Sequence, residues 1–298
     1  MTHARIALVT AAAARGLDED LPPLIDALRR IGAEPVAVDW DDAGADWAHF
    51  DAAILRSAWD YSLRLPEFLA WAARAARLTR LVNPLDVVRW NTDKHYLAEL
   101  ARAGVAIVPS VFLEPGEDAA QGIARFLEAH ATPEFVVKPA IGAGSRDAQR
   151  YGREESVEAS VHAARLLAAR RSVLLQPYLE RVDAHGETAL IYFAGAFSHA
   201  IRKGPLLRRG EGPTRALFAT EHISPRIAAP AELEIAAATL AAMPFDQPLL
   251  YARVDLIHDA DGAPRLLELE LTEPSLFFDH AAGAADRFAR AIASLPSR

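Results

Sequence analysis

The 298-residue chain contains no cysteine, so it forms no disulfide, no zinc–thiolate centre and no cysteine nucleophile. It also lacks long apolar runs, and none approaches the roughly 20 residues that a membrane-spanning helix needs. The apolar segment 6–14 leads directly into Arg15 and three acidic residues at 18–20. That order is typical of a buried first strand rather than of a signal peptide. We therefore expect a cytoplasmic protein without a membrane partner.

Positive charge is scarce as well. The chain has 32 lysines and arginines against 40 aspartates and glutamates, which gives a net charge of −8. A general nucleic-acid-binding protein needs a basic surface, so we expect no nucleic-acid partner, although one local basic pocket for a nucleotide remains compatible with this balance. The length allows two or three packed units, and the composition leaves a homo-oligomer open.

The first 84 residues contain short apolar runs separated by helical patterns. The runs span residues 5–10, 35–40, 52–55 and 81–82. Strands that alternate with helices predict a small parallel α/β domain, in which ligands bind beyond the carboxyl ends of the strands. Arg56, Ser57 and Asp60 follow the third run at such a place, so they are candidates for anchoring a substrate. A structural Arg–Asp pair in a loop is the alternative.

A hairpin near the C-terminus carries the strongest chemical signal. Two alternating runs flank Asp261-Gly262, and a turn there places Asp255 opposite Glu268 and Arg253 opposite Glu270. The other face is apolar and comprises Val254, Leu256, Leu267, Leu269 and Leu271. Opposed carboxylates destabilise a sheet unless a cation lies between them, and oxygen ligands that share a phosphate suit Mg²⁺. The alternative is a solvated outer face of a strand pair.

A lysine interrupts the apolar strand 135–139, and a glycine-rich loop follows it. Backbone amides around Gly142, Gly144 and Ser145 can form an anion-binding concavity next to Lys138. The loop lacks the GxxxxGK[ST] spacing of a Walker P-loop. Such a loop alone is more often an ordinary turn, but its position directly after a strand lysine favours phosphate binding.

Lys94 is a second candidate for contact with an anion. Thr92-Asp93 predicts the start of a helix that runs to about Arg102 and ends at Gly104. The helix dipole disfavours a cation in the first turn, so Lys94 makes sense there if it reaches an anion. A solvated surface lysine is the alternative.

A second hairpin is predicted over residues 186–203, with Ala194-Gly195 as its turn. This register places Glu187 opposite Arg202, a pair that is explained equally well as a structural cross-strand contact. The basic segment that begins at Lys203 has the composition of a mobile flap over phosphates.

The order of these motifs over residues 80–280 resembles the ATP-grasp superfamily of carboxylate ligases, in particular its glutathione-synthetase-like branch. The resemblance implies an α/β fold with an N-terminal parallel domain (1–84), a central lid domain (85–175) and a C-terminal antiparallel-sheet domain (176–298). It also implies ATP and Mg²⁺ as cofactors.

The resemblance further implies roles for individual residues. The implied ATP-binding residues are Lys94, Lys138, Gly142, Gly144, Ser145, Gln176, Pro177, Tyr178, Leu179 and Glu187. The implied metal ligands are Asp255, Glu268 and Glu270, and the implied catalytic cations are Arg202, Arg253 and Lys138. The family usually has asparagine where Glu270 stands, which leaves open whether one or two Mg²⁺ ions bind.

Two segments, 56–61 and 268–275, are similar to those of cyclo-ligases that form cycloserine from O-ureido-D-serine. The resemblance implies that a small amino-acid-like carboxylate is phosphorylated and that the acyl phosphate is captured by a nitrogen nucleophile. The implied substrate residues are Arg56, Ser57, Asp60, Lys203, Thr272, Glu273 and Ser275. Two alternatives remain: an ATP-grasp amino-acid or peptide ligase with another substrate, and a non-catalytic nucleotide-binding protein.

Overall fold

The computed structural model describes residues 4–210, 222–246 and 249–296, in which the strands form three sheets. The first sheet comprises β1 (Arg5–Thr10), β2 (Glu34–Asp39), β3 (Ala52–Ser57) and β4 (Arg80–Val82). These strands are parallel, in the order β2-β1-β3-β4. The predicted N-terminal parallel α/β unit is therefore confirmed.

Helices cover both faces of the first sheet. They are α1 (Leu21–Arg30) and α9 (Ala284–Ala293) on one face and α2 (Leu65–Leu78) on the other. Along β1, Ile6 and Leu8 pack toward α1 and α9, whereas Ala7 and Val9 pack toward α2. Burial on both sides explains why this strand is apolar throughout rather than alternating.

The second sheet is antiparallel, and one of its faces is covered by two helices. Its strands are β5 (Val111–Leu113), β6 (Glu134–Pro139), β7 (Gln149–Gly152) and β8 (Val173–Pro177), in the order β5-β8-β6-β7. The helices are α5 (Ala119–Ala129) and α6 (Ser156–Ala168). Phe135 and Val137 of β6 point into this core, so Val136 and Lys138 point to the opposite face.

The third sheet is antiparallel and holds five strands in the order β11-β10-β9-β12-β13. They are β9 (Glu187–Phe193), β10 (Ala196–Lys203), β11 (Ile223–Arg226), β12 (Tyr251–His258) and β13 (Pro264–Glu270), with α7 (Arg181–His185) leading into β9. One face packs against α3 (Leu85–Asn91), α4 (Tyr96–Arg102) and α8 (Pro230–Ala241). Part of the other face packs against α9.

The predicted domain boundaries remain a prediction. β8 runs across the predicted boundary at 175/176, and α3 and α4 pack on the third sheet although they fall in the predicted central domain. None of the helices within the described ranges has the length and apolarity to cross a membrane.

The β12–β13 hairpin confirms the predicted register where the charges lie. Two charged pairs face each other as predicted, Asp255–Glu268 and Arg253–Glu270. A bulge after Asp255 then shifts the ladder by one residue, so Leu266 takes the place on the apolar face that was predicted for Leu267. Leu267 is thereby turned to the same side as the charges.

The β9–β10 hairpin corrects the prediction for Arg202. The turn lies where the sequence indicated, but a bulge at Ser198 shifts the remaining pairs by one residue. Lys203 therefore lies opposite Glu187, and Arg202 lies opposite Thr188. Because a one-residue shift moves a side chain to the other face, lysine rather than arginine reaches the charged side of the sheet.

The helix predicted to begin at Thr92-Asp93 begins later, at Tyr96, and ends before Gly104 as predicted. Thr92 instead closes α3, and Lys94 lies in the connection between the two helices. The Asp93 side chain accepts the backbone N–H of His95 at 3.1 Å, which fixes this connection.

Candidate active site

A cleft lies between the second and third sheets. Its apolar lining includes Val136, Tyr178, Leu179, Val182, Ile257 and Leu267. Its charged lining includes Lys94, Lys138, Glu187, Lys203, Arg253, Glu268, Glu270 and Glu273. The bulge in β13 contributes to the apolar part, because it turns Leu267 into the cleft. The cleft therefore combines an apolar surface that suits a flat ring with a dense set of charges.

Asp255 lies behind the cleft lining, where it is 2% exposed and pairs with two of the charged lining residues. Its Oδ2 accepts hydrogen bonds from Lys203 Nζ at 2.8 Å and from Arg253 Nη2 at 2.8 Å. Burial by itself raises the pKa of Asp255, but these two cations outweigh it and hold the pKa below its usual range. Asp255 is therefore ionised at neutral pH.

Two lysines approach Glu268 from other elements. Lys94 Nζ lies 2.8 Å from Glu268 Oε1 and also donates to the carbonyl of Gly142 at 2.9 Å. Burial opposes the charge on Lys94, but Glu268 outweighs it and raises the pKa of Lys94. Burial lowers the pKa of Lys138 to about 8, and the nearby charge of Lys94 also lowers it. Both predicted ATP lysines thus lie in the cleft.

Lys203 occupies the position that the sequence assigned to Arg202. Its ammonium pairs with Glu187 and with Asp255, so it joins two strands of the sheet. Arg202 instead donates to the backbone carbonyls of His185 at 2.6 Å and Ala184 at 3.1 Å and is not among the residues that line the cleft. Arg202 thus holds the C-terminal end of α7, the helix that leads into β9.

The carboxylates fit a Mg²⁺ ion that is shared with phosphates. Asp255, Glu268 and Glu270 offer only oxygen ligands from one end of one ladder, but no three His, Cys, Asp or Glu side chains of the described ranges are arranged to enclose a metal by themselves. Burial raises the pKa of Glu270 to about 7, although the Arg253 guanidinium beside it opposes this. A divalent ion would relieve that cost, and Mg²⁺ usually takes part of its shell from phosphate and water.

The predicted glycine-rich loop and hinge both line the cleft. Gly142, Gly144 and Ser145 belong to its wall, as do all four hinge residues, Gln176, Pro177, Tyr178 and Leu179. Gly144 and Ser145 adopt left-handed backbone conformations at φ 60° and 58°. Gln176 Nε2 donates to Ser110 Oγ at 2.9 Å, and Arg150 lies 3.5 Å above the Tyr178 ring.

One end of the cleft is closed by the segment that follows β3 and by the loop after β13. Trp59 and Tyr61 come from the first, and Glu273, Ser275 and Phe277 come from the second. The Tyr61 hydroxyl hydrogen-bonds to the Glu273 carboxyl group. Burial raises the pKa of Glu273 to about 8, and the charge of Glu270 adds to this effect. The Glu273 carboxyl group at this end of the cleft is therefore mostly protonated, and so uncharged, at neutral pH.

Four predicted substrate residues do not line the cleft. Arg56 is 1% exposed and donates to the carbonyl of Pro274 at 3.0 Å. Ser57 Oγ bonds to Thr10 Oγ1 at 2.8 Å, Asp60 accepts from Trp40 Nε1 at 2.8 Å, and the Thr272 hydroxyl donates to Asn91 Oδ1 at 3.3 Å. These contacts hold loops in place, and substrate contact by Arg56, Ser57, Asp60 and Thr272 stays a prediction. Their neighbours Trp59 and Tyr61 reach the cleft instead.

Asn91 was not among the predicted site residues. Its side chain donates to the carbonyl of Leu269 at 2.7 Å and accepts the N–H of Leu271 at 2.7 Å, so it fixes the β13 end that carries Glu268 and Glu270. The sequence signal that could have identified Asn91 is its side-chain amide, which ends the helix α3 next to the buried valines of that helix.

Solved structures with little sequence similarity share this architecture. The D-alanine–D-alanine ligase of Bacillus anthracis, one of whose structures was solved with ATP, is 16% identical over 98% of this chain and 96% of its own, with a TM-score of 0.68. The ATP-grasp ligase PsnB is 18% identical over 99% of this chain, with a TM-score of 0.65, and it has been crystallised with Mg and ADP. The chain therefore has the ATP-grasp ligase fold, as the sequence predicted.

Closer similarity defines the family. A family model described as the N-terminal domain of D-cycloserine synthetase DcsG matches residues 6–83. The cycloserine biosynthesis protein DcsG of Streptomyces lavendulae is 44% identical over 97% of both chains. The crystal structure of D-cycloserine synthetase DcsG superimposes with a TM-score of 0.91, at 44% identity over 97% of this chain and 98% of the other. The chain belongs to the DcsG family of ATP-grasp ligases.

Proposed function

We propose that this protein is an ATP- and Mg²⁺-dependent carbon–nitrogen ligase that closes the D-cycloserine ring from O-ureido-D-serine. The observation that carries the proposal is the set of buried and half-buried lysines and carboxylates on β6, β10, β12, β13 and the α3–α4 connection, which adjoins an apolar cleft. The chain-wide similarity to DcsG supports the same substrate.

The nucleotide is expected to lie along the cleft between the two antiparallel sheets. The hinge from Gln176 to Leu179 and the side chains of Ile257 and Leu267 would contact the adenine, and Glu187 would accept from the ribose. Lys94, Lys138 and the loop at 142–145 would contact the phosphates. Because Lys138 has no carboxylate within 4.0 Å among the described residues, its charge is available to an incoming anion.

In the first step, the substrate carboxylate attacks the γ-phosphorus, and ADP leaves. Phosphoryl transfer needs mainly alignment and charge neutralisation, which Lys94 and Lys138 provide from two different elements. When bound, Mg²⁺ offsets phosphate charge, and Asp255, Glu268 and Glu270 are the residues that would hold it.

In the second step, the ureido nitrogen that is bonded to oxygen attacks the acyl carbon, and phosphate leaves as that nitrogen loses its proton. The closed ring still carries the carbamoyl group on this nitrogen, and hydrolysis of that group to ammonia and CO₂ then gives D-cycloserine. The negative charge that develops on the acyl oxygen needs a positioned donor, and Arg253 is such a group because its guanidinium is held by Asp255, Glu270 and the carbonyl of Ser275. The nucleophile and the acyl group belong to one molecule, which favours ring closure over intermolecular attack. Trp59, Tyr61 and Phe277 close this end against water.

The proposal is tested by phosphate release from ATP and Mg²⁺ across a panel of small carboxylates that includes O-ureido-D-serine. The Asp255→Asn variant is the control. Release that depends on O-ureido-D-serine and disappears in D255N would support the proposal. Release that requires a separate amine acceptor would indicate an intermolecular amino-acid or peptide ligase instead.

A further inference from the structure

Asp20 joins the N-terminal sheet to a loop at the far end of the chain. Its carboxylate accepts the backbone N–H groups of Leu276 at 2.5 Å, Phe277 at 3.1 Å and Phe278 at 2.8 Å. Asp20 is 5% exposed, so these bonds are shielded from solvent. Three consecutive donors on one carboxylate form a strong and directional anchor.

The sequence around Asp20 explains why its carboxylate is available for this contact. An aspartate at a helix N-cap ordinarily accepts an N–H from the second or third helical residue. In α1 these residues are Pro22 and Pro23, which have no N–H, and the Asp20 side chain makes no capping hydrogen bond. The two prolines thus leave the carboxylate free to reach the distant loop.

Two other residues of the N-terminal domain, Arg56 at the end of β3 and Trp59 just after it, hold the same loop. Arg56 Nη2 donates to the carbonyl of Pro274 at 3.0 Å and lies 3.9 Å from Asp20 Oδ2. Trp59 Nε1 donates to the carbonyl of Glu273 at 3.1 Å. Of the segment that was predicted to contact substrate, Arg56 and Trp59 therefore hold the backbone of Pro274 and Glu273, whereas Ser57 and Asp60 bond to Thr10 and Trp40.

The loop that is held in this way forms the end of the cleft. Glu273, Ser275 and Phe277 line the cleft, and the carbonyl of Ser275 accepts from Arg253 at 3.1 Å. Phe277 adopts a left-handed conformation at φ 52° and ψ 49°, which a bulky residue adopts only where its surroundings enforce it. Asp20 binds the N–H groups on both sides of this residue as well as its own.

We propose that Asp20 is a positioning residue of the enzyme: it fixes residues 273–278 and thereby the geometry of the end of the cleft that binds the carboxylic acid. It contacts neither substrate in this arrangement and acts through the loop. The identity of the acid rests on the proposed function, whereas the fixation of the loop does not.

The test compares Asp20→Asn with Asp26→Asn, a control on the exposed side of the same helix α1. In D20N the side-chain NH₂ group takes the place of one carboxylate oxygen, so a donor instead of an acceptor faces the backbone N–H groups of the loop. We expect the backbone amides of Leu276, Phe277 and Phe278 to lose protection from hydrogen exchange in D20N but not in D26N. We also expect the KM for the acid to rise about 10- to 100-fold, while the KM for ATP stays within about twofold of the wild-type value.

Asp20→Glu covers the case in which D20N does not fold, since it keeps the charge but displaces the carboxylate by one methylene. It should show the same pattern with smaller changes. Unchanged exchange of the three amides would refute the fixation of the loop. Loss of protection with an unchanged KM for the acid, or an equal rise in the KM for ATP, would refute the positioning role. A wild-type protein that is inactive with every acid would instead refute the proposed function. The hydrogen-exchange data would still show whether Asp20 fixes the loop at residues 273–278.

Discussion

Lys203 and Arg202 are adjacent cations, but only one of them faces the cleft. Lys203 neutralises Asp255 and Glu187, so Lys203→Met leaves two buried carboxylates with less positive charge around them. We predict that K203M lowers kcat/KM by about 10²- to 10³-fold. Arg202→Met removes contacts to two backbone carbonyls and should mainly lower the free energy of unfolding. Steady-state phosphate release and urea unfolding of both variants distinguish these effects; a larger loss of kcat/KM in R202M would contradict the assignment.

The buried Glu273 makes stability depend on pH. Its pKa in the folded protein is about 8, against about 4.3 in an unfolded chain, so the folded state binds more protons between these values. Stability therefore falls as the pH rises from about 4.3 to 8. Glu273→Gln stays neutral at all these pH values. In the protein without ligands, we predict that it reduces the loss of stability between about pH 5 and about pH 8 by an amount on the order of a few kcal/mol.

Urea unfolding at several pH values measures this difference. The exposed Glu158→Gln on α6 is the control, and it should keep the wild-type slope. An unchanged slope in E273Q would show that Glu273 is ionised in the folded protein at neutral pH.

At the scale of elements, the turn before β9 has no room for a side chain. A Cβ on Gly186 would lie 2.4 Å from the carbonyl oxygen of Lys203, and the residue has φ +73°. Gly195 in the next turn has φ +79° but nothing within 4 Å. We predict that Gly186→Ala costs about 2 kcal/mol or more and reduces activity, because Lys203 must move, whereas Gly195→Ala costs about 1 kcal/mol and leaves activity unchanged. Equal unfolding midpoints and activities in G186A and G195A would contradict this.

Periodicity predicted the hairpins because each strand has one buried face, and so it placed Asp255 and Glu268 opposite each other correctly. It could not predict the bulges, since one extra residue at Ser198 or Leu267 changes no composition or charge pattern. The extra residue at Ser198 shifts the β9–β10 register by one, and for this reason Arg202 was expected at the position that Lys203 occupies.

Across the chain, motif order predicted the ATP-grasp fold because the strand, hairpin and loop signals that compose it are local. Contacts between distant parts of the chain gave no such signal. Asp20 and the amides it binds are separated by more than 250 residues, and Arg56 is 218 residues from Pro274, whose carbonyl it binds. Arg56 at the end of β3 therefore suggested ligand contact, whereas in the structure it holds the loop that forms the end of the cleft.

The central claim is that the substrate carboxylate becomes an acyl phosphate before the ring closes. O-ureido-D-serine labelled with ¹⁸O in both carboxylate oxygens tests this most directly, with ATP, Mg²⁺ and mass analysis of the released phosphate. The carboxylate oxygen that attacks phosphorus stays bonded to it when phosphate leaves the acyl carbon. Each released phosphate should therefore contain one ¹⁸O, and the D255N control should release no phosphate. Cycloserine formed together with unlabelled phosphate would contradict the account.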